Sequence, residues 1–105
     1  MHVTAPEVKQ QVMDALRNVF DPEIPINIVD LGLIYDVQVD AEGKANILMT
    51  LTAPGCPAAQ FLPSWAKDAA ATVKAVKKVD VKVTFDPPWN HARMSDEAKL
   101  ALGLM

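Results

Sequence analysis

Cysteine is almost missing from this 105-residue sequence: there is one, at position 56, and no second with which to close an intrachain disulfide. That scarcity favours a reducing, cytoplasmic compartment. Positive charge is also in short supply. The formal net charge is −3, and no dense run of Lys and Arg appears, which argues against nucleic acid or an anionic membrane as the main partner. No apolar run approaches the roughly 18 residues that a membrane span needs, and the opening MHVTAPEVKQ lacks the apolar stretch of an export signal. There is no CxxC, no HxxxH, no internal repeat and no low-complexity linker. What remains is half apolar, 22% charged and only 6% aromatic, an ordinary globular composition. The length fits one domain over residues 1–105 with a thin core, to which dimerisation or a partner would add stability.

The apolar pattern predicts an order of elements. Thr4, Pro6 and Glu7 read as a helix start, and Val8, Val12, Ala15, Leu16 and Val19 recur at helical spacing, placing a first helix at about residues 5–19 with its apolar face running to Phe20. Asp21-Pro22 should stop it. Residues 21–32 have no clean period and read either as a packed loop whose isoleucines plug the core or as a functional loop. Leu33, Tyr35, Val37 and Val39 alternate with polar residues, a turn follows at 41–44, and residues 45–52 form a second, more buried strand. A long helical pattern then carries Ala58, Leu62, Trp65, Ala66, Ala69, Val73 and Val76 on its apolar stripe. Pro57 suits the first turn of that helix, with Cys56 at or beside its N-cap. Pro63 is awkward there, so either the helix kinks or residues 57–61 form a separate turn. Val79, Val81, Val83 and Phe85 alternate as a third strand, and Ser95 caps a short last helix that Gly103 stops. The expected fold is α+β: a two-layer sandwich in the order α-β-β-α-β-(α), with helices on one face of a small mixed sheet.

Cys56 is the residue whose setting is most suggestive chemically. At a helix N-terminus its thiolate would be favoured, and a thiolate is a nucleophile and a soft ligand for iron, an Fe–S cluster or zinc. The plainer alternative is a buried structural cysteine. One thiol per chain cannot hold a cluster alone, so further ligands must come from a second subunit, a small thiol or a client protein. Asp21 and Glu23 are carboxylates on a proline-flanked loop, able to bind metal or position the cysteine; alternatively Asp21 caps its own turn. Thr50 and Thr52 lie two apart on the strand that feeds Cys56, which would turn both to one face near the thiol. His91 beside Trp89 reads as part of a binding surface or as a partly buried histidine holding a loop. No nucleophile–base–orienter set is evident, so an enzyme is not expected.

Three segments together resemble one family. DPEIPINIVDLGLIYDV (residues 21–37), TLTAPGCPAA (residues 50–59) and VTFDPPWNHARMSDEAKLALG (residues 83–103) are similar to the metal–sulfur cluster biosynthesis, or Fe–S cluster assembly, domain. That domain occurs in bacterial SufT-type proteins, in the PaaD subunit of phenylacetyl-CoA degradation and in eukaryotic cytosolic Fe–S targeting factors. The likeness runs from about residue 7 to residue 103. It implies an α+β fold and an accessory role in cluster maturation. By position, Cys56 matches the family's reactive cysteine, Asp21 and Glu23 its acidic loop, and Thr50 and Thr52 the polar strand end beside the cysteine. The cysteine-rich C-terminal extension of PaaD-type members has no counterpart here, which favours the SufT-like reading.

The leading expectation is therefore a cytoplasmic accessory factor that handles iron or an Fe–S cluster transiently through Cys56, with no metal required at rest. Its partners would be the Fe–S assembly machinery and apo-client proteins, with a homodimer as one source of a second ligand. A metal-free adaptor gripping clients through residues 21–32 and the Trp89–His91 segment is the alternative, and a thiol enzyme using His91 or Glu23 as base comes third.

Overall fold

A computed structural model describes residues 5–22, 24–52 and 58–103. The elements within them run α1 (Ala5–Leu16), β1 (Ile34–Val39), β2 (Lys44–Met49), a 3-10 turn (Ala58–Phe61), α2 (Leu62–Ala71), β3 (Lys78–Val83), a second 3-10 turn (His91–Arg93) and α3 (Asp96–Ala101). This is the expected α-β-β-α-β-α order. The strands form one mixed sheet, β1-β2-β3, with β2 central, antiparallel to β1 and parallel to β3. Helix α1 packs on β1 and α2, and α2 packs on β3. Both therefore cover the face that carries Val37, Ala45, Ile47, Met49 and Val79, all buried. Among the described residues no helix packs on the opposite face, which is mostly polar. Asp36, Gln38, Asn46, Leu48, Asp80 and Lys82 line an open depression of about 290 Å³ on it.

Helix α1 buries Val8, Val12 and Leu16, one per turn, as its spacing requires. It stops at Leu16, three residues before the expected end. The Arg17 N–H is shared between the Met13 and Asp14 carbonyls, and Asn18 and Val19 bond three residues back. That tightening releases the chain into a new pairing, in which the Ile28 N–H donates to the Val19 carbonyl and the Asp21 N–H to that of Ile26. Val19 is buried by this route, whereas Phe20 turns outward at 53% exposure and does not extend the apolar face.

Residues 24–32 fold as a plug. Ile28 and Leu31 are fully buried, and Ile24, Ile26 and Val29 pack against the core. Asn27 organises the last turn, accepting from the Asp30 N–H and donating to its carboxylate. Asp40 does the same for the β1–β2 turn, where its Oδ1 accepts from the Glu42 and Lys44 amides. A bulge between Ile34 and Asp36 breaks the β1 register beside this plug.

The segment before α2 settles the question raised by Pro63. Residues 58–61 form a separate 3-10 turn, and the α-helix proper has Phe61 as N-cap with Pro63 inside its first turn, where a missing N–H costs nothing. The N-cap is thus not Cys56. The activation expected for the thiol concerns a residue outside the described ones. Leu62, Ala66 and Ala70 are the buried stripe of α2. Trp65 is not part of it: at 41% exposure it stacks on the still more exposed Phe61, ring centroids 5.9 Å apart. Val73 and Val76 are buried in the turn beyond the helix. Strands β2 and β3 end at Met49 and Val83, short of the expected 52 and 85, although the Thr84 N–H still reaches the Met49 carbonyl. The Ser95 hydroxyl caps α3 by accepting from the Ala98 N–H, and Gly103 follows the helix at φ +74°.

Candidate functional site

Of the five residues singled out, Cys56 and Glu23 lie outside the described residues. The other three are placed. Asp21 is buried, and its Oδ1 accepts from the Ile24 N–H at 3.0 Å, so it does cap its own turn. Thr50 follows the last residue of β2 and is fully buried. Its amide donates to the Leu33 carbonyl at 2.8 Å, which extends the β1–β2 pairing, while its hydroxyl lies 3.5 Å from the Leu51 carbonyl. Thr52 is half-buried and beyond the strand, so the strict alternation that would turn both threonines to one face does not continue to it.

The two segments proposed as a client-gripping surface do come together. Trp89 donates its indole N–H to the Leu31 carbonyl at 2.7 Å. The Ser95 amide donates to the Asp30 carbonyl at 2.8 Å, and Arg17 pairs with the Asp30 carboxylate at 3.2 Å. Gly32, at φ +80°, lies so close to the Arg93 backbone that a Cβ would collide with its carbonyl. His91 is exposed rather than partly buried, with its ring centroid 5.3 Å from that of Trp89.

These contacts frame a cavity of about 480 Å³ that sequence reasoning missed, lined by Gly32, Ile34, Tyr35, Leu48, Asp86, Pro87 and Arg93. Tyr35 donates its hydroxyl to the Pro87 carbonyl at 2.7 Å, and the Arg93 guanidinium lies 4.7 Å above its ring centroid. Stacking holds the guanidinium by its face and leaves its N–H edge for an acceptor. No short-range pattern announces this pair, because the partners lie in separate segments brought together only by folding. Its one sequence-level hint was the irregular, proline-rich stretch that carries Pro87.

Among the described residues no group of three His, Cys, Asp or Glu side chains is placed to hold a metal ion. None of the described helices is long and apolar enough to cross a membrane.

Comparison with known proteins gives the same direction as the motifs. A family model described as iron-sulfur cluster assembly protein matches residues 9–84. An Fe-S protein maturation auxiliary factor of Porphyromonas gingivalis is 48% identical over 99 residues, covering 94% of each chain. The Fe-S protein maturation auxiliary factor SufT of Staphylococcus aureus is 42% identical, over 82% of this chain and 98% of its own. Among solved structures, a domain of unknown function (DUF59) from Bacillus anthracis superposes with a TM-score of 0.89 at 39% identity, covering 96% of both chains.

Proposed function

The chain belongs to the iron–sulfur cluster assembly protein family, and from that premise we propose that it is an accessory factor in the maturation of Fe–S proteins. The observation that carries this reading is the likeness, over 94% of both chains, to a protein named as an Fe–S protein maturation auxiliary factor. On this reading the chain is not a catalyst of bond chemistry. Iron or a preformed cluster is its cargo, and its partners are the assembly machinery and apo-clients in the cytoplasm.

Cys56 is the side chain through which cargo or client is touched. A thiolate is the soft donor that iron and Fe–S clusters take, and it is the only one the sequence offers. A chain contributing one thiol leaves the remaining coordination to its partners, so release needs a single ligand exchange. Transience thus follows from the ligand count. On this reading the carboxylates of Asp21 and Glu23 and the hydroxyls of Thr50 and Thr52 serve the same cargo or client.

A second reading has its own support. The clasp between residues 27–32 and 86–95, with Arg93 stacked on Tyr35 at its edge, is a surface suited to a polypeptide partner, and it would serve a metal-free adaptor equally. Anaerobic reconstitution with iron and sulfide separates the two. The accessory-carrier reading expects a visible chromophore on the wild type that Cys56→Ser loses. No chromophore on folded wild type would leave the adaptor, with Cys56 acting only in the client complex.

A further inference from the structure

We propose that β3 is a self-pairing edge: two copies of this chain join β3 to β3 antiparallel, about a two-fold axis at Val81, into one six-stranded sheet. The inference is independent of iron handling and rests on the strand's position, its backbone and its charge pattern.

Position comes first. The sheet has two edges, and they differ. Strand β1 is bulged between Ile34 and Asp36, a device that blunts an edge against pairing. Strand β3 pairs with β2 in unbroken register from Lys78 to Val83, and among the described residues nothing pairs with its other side.

The backbone then fixes which residues face outward. The Lys78 amide donates to the Gly43 carbonyl and the Thr84 amide to that of Met49, so the even-numbered residues of the strand are turned to β2. Val79, Val81 and Val83 therefore direct their N–H and C=O groups to the free edge. In an antiparallel pair these outward groups form the hydrogen-bonded sites. Val81 meets the partner's Val81, and Val79 meets the partner's Val83.

That same register places Asp80 opposite the partner's Lys82, and Lys82 opposite the partner's Asp80. Both pairs occupy non-hydrogen-bonded sites, where side chains approach most closely. Within the chain, neither charge has an ion-pair partner among the described residues, where Arg17–Asp30 is the pair formed. Charges on an edge usually discourage pairing. Here they discourage every register but one. Shifting the pair one step either way while keeping the outward amides matched sets Asp80 against itself or Lys82 against itself. The segment VDVKV is thus self-complementary about a two-fold axis, its valines meeting valines and its charges meeting opposite charges, as an isologous contact requires. On the helix-covered face, Val81 and Val83 are only half-buried in the single chain, and the pairing would close them against their equivalents. A dimer of this kind also brings two copies of Cys56 into one assembly.

Sedimentation velocity of the full chain in reducing buffer tests this, with Asp80→Lys, Lys82→Asp and the double exchange Asp80→Lys/Lys82→Asp. Both positions are exposed, so the fold should tolerate the changes. The wild type should dimerise. Each single reversal should weaken the dimer by about tenfold or more, because both cross-strand pairs become like-charged. The double exchange restores opposite charges at both pairs and should return the affinity to near that of the wild type. A monomeric wild type, single variants that dimerise undiminished, or a double exchange no better than the singles would each overturn the proposal.

Discussion

The indole N–H of Trp89 donates to the Leu31 carbonyl at 2.7 Å, closing a separation of 58 positions along the chain. Next to it the Ser95 amide reaches the Asp30 carbonyl, and Gly32 lies against the Arg93 backbone. The stretch that follows β3 is thereby fastened to the plug that precedes β1. Gly32 and Arg93, which line the cavity from either side, are held by the same contacts.

Trp89→Phe keeps an aromatic ring but leaves the Leu31 carbonyl without its donor. The expected cost is about 1–2 kcal/mol of unfolding free energy, read by urea denaturation. An unchanged midpoint would mean that water replaces the indole and that this bond does not hold the clasp.

Gly32→Ala and Gly103→Ala form a matched pair. Both glycines have positive φ, but a Cβ at Gly32 would strike the Arg93 carbonyl, whereas at Gly103 it meets nothing within 4 Å among the described residues. Gly103→Ala should cost roughly 1 kcal/mol, the conformational penalty alone, and Gly32→Ala clearly more. Equal losses of thermal stability in the two variants would contradict the close packing of plug and clasp.

Asp21 is both a cap and a candidate functional carboxylate, and two substitutions divide those roles. Asp21→Ala removes the acceptor of the Ile24 amide and should cost about 1–2 kcal/mol. Asp21→Asn retains an oxygen acceptor and should stay much nearer to wild-type stability. If the charge serves cargo or client, Asp21→Asn will fold normally yet fail to support client maturation; full support would confine Asp21 to structure.

Thr50 is fully buried, but its hydroxyl lies 3.5 Å from the Leu51 carbonyl, long for an O–H···O bond. Thr50→Val should therefore shift stability by less than about 1 kcal/mol. Client Fe–S enzyme activity should nevertheless fall if the hydroxyl acts on the adjoining Cys56 segment. A large loss of stability would show instead that the hydroxyl is a structural bond.

Much of the fold was legible because it rests on local rules. The Asp40 turn, the Ser95 cap, the alternation of β3 and that of β1 beyond its bulge each follow from residues close in sequence. The end of α1 did not, because the competing bonds from Val19 and Asp21 go to residues 26–28 through a loop with no period. Trp65 has the spacing of a buried residue but stacks on Phe61 at the surface, since periodicity does not specify how wide the covered stripe is. Of the candidate site, the family was legible in the three motifs that carry the resemblance, whereas Cys56 and Glu23 lie outside the described residues. The Arg93–Tyr35 and Trp89–Leu31 contacts were not legible, because nothing local encodes them.

The central claim, that the chain matures Fe–S proteins through Cys56, is tested most directly in a strain lacking the native protein. The measurement is the activity of a client Fe–S enzyme per mole of its polypeptide, after return of the wild type or Cys56→Ser. Wild type should restore activity, and Cys56→Ser, present at equal abundance, should not. Full restoration by Cys56→Ser would contradict the claim.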